Sequence, residues 1–189
     1  MAGVPGSSGG GMYMVGMKQV MLNLNKEIVK IQDRSSKGLI MVAAYIRQKT
    51  EKQRPLTPVD LGNLRSSWFV VSSKSSIVGG DERQLMKKTF VGKRAEAILT
   101  DYIMAVMESQ GLARRLAGIK FKRFVVFGYG AGYAGFVHEM VGAEFKRPGA
   151  EAKWLETHLK NNTHQILLIL ESEIKIPVRR SKNIKRKKI

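Results

Sequence analysis

The chain has 189 residues, with 33 Lys and Arg against 15 Asp and Glu and no cysteine, so its formal charge is +18. That length suits one compact domain with extensions, or at most two small ones, and 43% apolar residues are enough for a core, which argues against global disorder. Disulfides, thiolate metal sites and cysteine nucleophiles are excluded at once, no apolar run nears the ~18 residues of a bilayer span, and no secretory signal pattern opens the chain.

The expected setting is therefore intracellular or within an assembly, without a membrane partner. The charge is unevenly placed. Residues 1–16 are a Gly/Ser-rich arm and carry none of it. Residues 175–189 carry eight basic side chains and no acid. Residues 17–174 hold the remaining 25 basic and 15 acidic side chains and form the expected folded domain. Within the tail, Arg179, Arg180, Lys182, Lys185, Arg186, Lys187 and Lys188 are candidate contacts to DNA or to an acidic protein surface. A solvated tail is the plainer alternative.

Met17 to Gln53 is predicted as one long helix. Met21, Leu24, Ile28, Ile31, Ser35, Leu39, Val42 and Ile46 recur in steps of three or four. Gly38 is the expected bend, unless Ser35-Ser36-Lys37-Gly38 breaks the helix outright. Arg54-Pro55 ends it. Asp60 is placed to N-cap a short helix over 61–66. Trp68 to Ser73 reads as a strand, Gly79-Gly80-Asp81 as a turn, and Lys87 to Val91 as a second strand.

A further helix is expected over 93–116, interrupted at Gly111. Lys120 to Phe127 is the best strand pattern, with Phe121, Arg123, Val125 and Phe127 on one face and Phe124 and Val126 on the other. Gly128 to Gly132 should break it, and a short helix should follow over 133–141. A last helix is expected from Pro148 at its first position to Ile174, with Glu151 in its first turn. Leu155, Leu159, Ile166 and Leu170 form its seam. Ile166 to Leu170 is apolar on all sides, a surplus suited to a subunit interface. The class is α+β, with a long N-terminal helix and C-terminal helices packed on a small, mainly antiparallel sheet and arms at both ends.

Several motif matches fail on context. Gly130, Gly132 and Gly135 fit G-x-G-x-x-G between a strand and a helix, but no second parallel strand with an acid follows. A sharp turn and close packing explain these glycines better. Gly6-Ser7-Ser8-Gly9-Gly10 fits G-x-S-x-G without its strand and helix. His138-Glu139 begins H-E-x-x-H, but Gly142 stands where the second His is needed. His158 and His164 share no helix face well, and a hydrogen-bonded or solvated role suits them better than ligation. No catalytic residue, cofactor or metal is called.

Three segments, in order, resemble a known family. Pro58-Val59-Asp60-Leu61-Gly62-Asn63-Leu64-Arg65-Ser66-Ser67-Trp68 resembles its P-V-D-T-G-x-L-R-x-S signature, with Leu61 where Thr is usual. Tyr133-Ala134-Gly135-Phe136-Val137-His138-Glu139 resembles its Y-A-x-x-V-H-E segment. Arg147-Pro148-Gly149-Ala150 with Lys153-Trp154-Leu155-Glu156 resembles the start of its C-terminal helix. The family is that of tailed-bacteriophage neck, head–tail connector or tail-completion proteins, also called minor capsid or minor tail components. The pattern spans roughly residues 17–174, and the helical stretch 93–118 looks like an insertion.

The resemblance implies a non-enzymatic virion subunit of a symmetric ring, six or twelve copies, between the capsid portal and the tail. Its neighbours would be portal, adaptor or head-closure and tail-terminator proteins, with nonspecific contact to packaged DNA. Pro58, Asp60, Gly62, Leu64, Arg65, Ser67, Tyr133, Ala134, Val137, His138, Glu139, Pro148 and Leu155 are the motif positions, read as maintaining the fold. Arg65 is expected to pair with Glu139.

Six copies of a +18 chain would carry +108. A ring ~30 Å thick would enclose only about 18 phosphates of duplex, so most of this charge must meet acidic neighbours or solvent. The alternative reading is a basic nucleic-acid-binding protein using Lys120-Phe121-Lys122-Arg123-Phe124 and the tail. A nucleotide-dependent enzyme resting on the three glycines is third.

Overall fold

The computed structural model describes residues 12–73, 88–120 and 123–175. Helix α1 (Met12–Lys52) leads into α2 (Asn63–Ser66), strand β1 (Trp68–Ser72), α3 (Ala95–Lys120), strand β2 (Val125–Tyr129), α4 (Ala134–Glu139), α5 (Trp154–Asn161) and α6 (Thr163–Ile174). The architecture is α+β, as the pattern implied.

The two strands pair antiparallel, with Trp68 opposite Tyr129 and Ser72 opposite Val125. Alternation sorts their side chains. Phe69 and Val71 join Ile98, Tyr102 and Val106 of α3, together with Leu64, Phe90 and Trp154, in one core. Trp68, on the other face, lies under the Arg47 guanidinium of α1, 5.4 Å from its ring centre. The ribbon is thus held between α1 and α3. At 26 residues, α3, the stretch that looks like an insertion, places Ile98, Tyr102 and Val106 in that core.

Helix α1 runs unbroken through Gly38 and starts at Met12, inside the segment read as an arm. At 1.5 Å per residue, 41 residues span about 62 Å. Gly38 is a contact, not a bend: a Cβ there would lie 3.3 Å from Glu173 Cβ and 3.4 Å from Leu170 Cδ2 of α6. The missing side chain lets the two helices close on each other. Lys37 reaches Glu173 at 3.0 Å, and the Tyr45 hydroxyl donates to Asn162 Oδ1 at 2.9 Å. Because position 45 meets 162 while 38 meets 170 and 173, α6 runs antiparallel to α1.

Other expectations need correction. Residues 88–91 form no strand; Asn63 clamps Val91 through both backbone groups, which takes the place of a ladder. Gly111 does not interrupt α3, and Lys120 ends it instead of opening a strand. β2 begins at Val125 and includes Gly128 and Tyr129, which pair with Phe69 and Trp68 of β1. The last helix starts at Trp154, not Pro148, and is divided at Asn162. The Asn162 side-chain amide donates to the His158 carbonyl at 2.9 Å, a local bond that competes with the helix ladder. Phe121, the Gly79 turn, Lys87, the Gly6 motif and the basic residues Arg179 to Lys188 lie outside the described residues.

Candidate interaction face

The first convergence lies around Glu51, in the last turn of α1. Arg65 Nε stands 2.6 Å from its carboxylate, Arg47 lies at 3.2 Å and Arg147 at 3.4 Å. Arg147 also donates to the Glu51 carbonyl at 2.8 Å and to the Thr57 carbonyl at 2.9 Å. Arg47 donates to the Arg65 carbonyl at 2.7 Å and to the Tyr129 hydroxyl at 3.1 Å. The Tyr129 hydroxyl further contacts Thr57 Oγ1 at 2.9 Å and Thr50 Oγ1 at 3.2 Å. The first resembling segment (Arg65) and the third (Arg147) therefore meet on one carboxylate that is only 15% exposed.

The second convergence joins the second and third segments. Lys153 adopts a left-handed backbone, with φ of 56°, a conformation that needs local support in a residue with a Cβ. Its N–H donates to the His138 carbonyl at 2.7 Å, and its ammonium pairs with Glu139. Glu139 also meets His138 Nδ1 at 2.8 Å. The Lys153 bond first, then the His138 bond, holds the Glu139 carboxyl below its usual range, while Glu139 raises the Lys153 ammonium. The His138 ring meets Trp154 edge-on at 4.8 Å. Its Nε2 is buried with no hydrogen-bond partner among the described residues.

Arg65 accordingly does not pair with Glu139; each has a nearer partner. Asp60 does not cap α2 either. Gly62, with φ of 85°, occupies the cap position, and Asp60 projects outward to Lys146 at 2.5 Å. Pro148 is an exposed residue of the turn before α5. Leu64, Ser67 and Ala134 are buried, and Leu155 packs on the core. Ser67 Oγ donates to the Leu64 carbonyl at 2.8 Å, and the Gly130 N–H reaches the Ser67 carbonyl.

Between these convergences a cleft of about 480 Å³ opens, walled by Pro58 to Leu64, Val91 to Arg94, Tyr133, Val137 and Glu144 to Lys146. Its lining is mainly apolar. Burial, then the nearby Asp60 charge, pushes the Tyr133 phenol up. Leu61 of its wall is 60% exposed, and Phe136 (70%) and Val141 (77%), in α4 and just after it, are also open.

The glycine loop is packed shut. A Cβ on Gly130 would lie 3.0 Å from Tyr102 Cα, and one on Gly132 would lie 2.5 Å from Asp101 Oδ2. A carboxylate occupies the position where a phosphate cradle needs room and positive charge. His158 is buried, with Nε2 3.1 Å from the Gln53 carbonyl and 3.0 Å from that of Pro55, which is the hydrogen-bonded role. Among the described residues no group of three or more His, Asp or Glu side chains is placed to hold a metal ion, and no helix is long and apolar enough to cross a membrane.

Sequence reasoning missed Glu51, Arg47, Arg147, Asn63 and Tyr129. Asn63 lay inside the quoted signature and Tyr129 at the end of a strand pattern. Glu51 carried only the i,i+4 spacing to Arg47 as a local signal, since its other partners come from positions 65 and 147. No family model, curated protein or solved structure matches the chain.

Proposed function

We propose that the chain is a structural subunit of an oligomeric ring at a phage head–tail joint, linking the portal side of the capsid to the tail. One observation carries the reading. Of the three segments resembling the neck family, the first lies far from the other two in sequence yet meets the third on Glu51, and the second and third, close in sequence, join in the Lys153–Glu139–His138 group. The role of these residues is to hold one face in shape, and that face presents the apolar cleft mouth.

The nucleic-acid alternative loses part of its basis. Lys120 ends a helix, and Arg123 is turned inward to Gln32 Oε1 at 3.1 Å and toward Asp33 at 3.8 Å. The testing experiment is electron microscopy of particles from a phage lacking this gene. Accumulated filled heads and separate tails support the joint; intact tailed virions in normal number overturn it.

A further inference from the structure

The seam of α1 is covered along only half its length. Leu22, Val29, Ser36, Ala43 and Thr50 follow one another in steps of seven, which keeps them on one face of the helix. Ser36, Ala43 and Thr50 are buried, whereas Leu22 and Val29 are open. Met21, Ile28 and Val42 repeat the pattern: the last is buried and the first two are not. The β ribbon covers this seam at Thr50, whose Oγ1 meets the Tyr129 hydroxyl, while α6 lies on another face of α1 at Gly38. Toward the N-terminus, past the half-buried residues 31–35, the apolar stripe continues through residues 19–30, all exposed, for about three turns.

A sustained step of seven is the pattern of a helix that packs lengthwise on another helix. The arm is flanked by Lys26 and Lys30, which border a shallow depression together with Leu22 and Val29. Its complement should be an apolar helix face with acidic neighbours. The chain's own basic tail, with like charge, fits poorly. Helix α6 fits well. Its twelve residues carry no Lys or Arg, in a protein of net charge +18; Glu173 faces its own α1 and pairs with Lys37, while Glu171, with Lys175 at 3.0 Å, stands on the exposed side. One side of α6 lies on its own α1, and the other leaves Leu167 and Leu168 open beside Glu171.

We propose that the N-terminal arm of α1 in one copy packs along the outer face of α6 in the next copy. The inference rests on the ring-subunit reading for its setting. Arm and receiving face are different surfaces, so the contact is head-to-tail, the kind that closes a ring when the rotation allows. Each copy gives one arm and receives one.

The absence of cysteine makes the test clean. Val29→Cys and Leu167→Cys are introduced singly and together into the full chain, followed by mild oxidation and non-reducing electrophoresis. Within one chain these positions are too far apart to bridge. α6 runs antiparallel to α1, and position 29 lies nine residues before the Gly38 contact, about 14 Å along the axis. The double variant should give a ladder of cross-linked oligomers, and an equal mixture of the two single variants should give dimers and nothing larger. Dimers from Val29→Cys alone would put arm against arm about a twofold axis and overturn the proposal. Monomers throughout, with the helical circular dichroism of the parent chain retained, would overturn it as well. A ladder together with intact virions from the gene deletion keeps this contact and loses the head–tail setting. Separated heads and tails without a ladder do the reverse.

Discussion

Arg65 directs its Nε onto the Glu51 carboxylate at 2.6 Å, joining the first resembling segment to the last turn of α1. The two partners are not equally exposed. Glu51 keeps 15% of its side-chain surface and Arg65 keeps 44%. Removing Glu51 therefore strands three guanidiniums, whereas removing Arg65 leaves Glu51 with Arg47 and Arg147. Glu51→Ala should cost about 3 kcal/mol in urea unfolding. Arg65→Ala should cost about 1 kcal/mol, because water screens that half of the pair. Equal losses for the two variants would mean that Glu51 is not the centre of the group.

The glycine loop gives a second, sharper contrast. Gly130→Ala pushes a methyl against the Tyr102 backbone, which cannot swing aside as a flexible side chain would. It should lower stability by about 1–3 kcal/mol. Gly135, in the first turn of α4, has nothing within 4 Å of a Cβ and no positive φ. Gly135→Ala should be neutral or stabilising by up to about 1 kcal/mol, since alanine favours the helix. Thermal melts decide it. A phosphate-binding loop would instead tolerate neither change.

How far this site could be read beforehand depends on the range of each interaction. α1, β1 and the helix that became α3 were visible because their patterns are local. Of the strand expected at 87–91, the described residues 88–91 form none, since Phe90 is buried against α3 and Asn63 satisfies the Val91 backbone. The Asp60 cap failed because Gly62 takes the left-handed position and carries no capping side chain. The division at Asn162 rests on its side-chain bond to the His158 carbonyl, and its Oδ1 is held by Tyr45, 117 residues earlier. The Glu51 group escaped for the same reason: no window of sequence contains 47, 51, 65 and 147 together.

Acid and alkali should each weaken the Lys153–Glu139 pair, from opposite ends of the pH scale. The Glu139 carboxyl is held below its ordinary value of 4.5, through Lys153 first and His138 second. Its contribution is complete above the unfolded value and is lost as pH falls through the folded one. Lys153 is raised above 10.5 by Glu139. Its contribution is complete below that value and fades as pH rises past it. Glu139→Gln should therefore flatten the stability profile at both ends, measured as melting temperature against pH. An unchanged slope on the acid side would show that the pair does not support the left-handed Lys153 turn.

Gly38 sets the spacing between α1 and α6. The neighbours a Cβ would meet lie at 3.3 and 3.4 Å, close but at atoms of side chains that can give slightly. Two effects oppose each other in Gly38→Ala: a helix interior favours alanine by about 1 kcal/mol, and the tight contact offsets part of that gain. The net change should be small. Gly38→Leu has no such compensation, because the added atoms must displace Leu170 and Glu173 and lever α6 away from α1. It should cost about 1–3 kcal/mol and also break the Lys37–Glu173 pair at 3.0 Å. Because α6 is the proposed receiving face, the same change should suppress the cysteine ladder while Gly38→Ala leaves it intact. Urea unfolding and cross-linking on the same two variants separate the effects. Normal stability and a normal ladder in Gly38→Leu would show that α6 does not rest on α1 at this position.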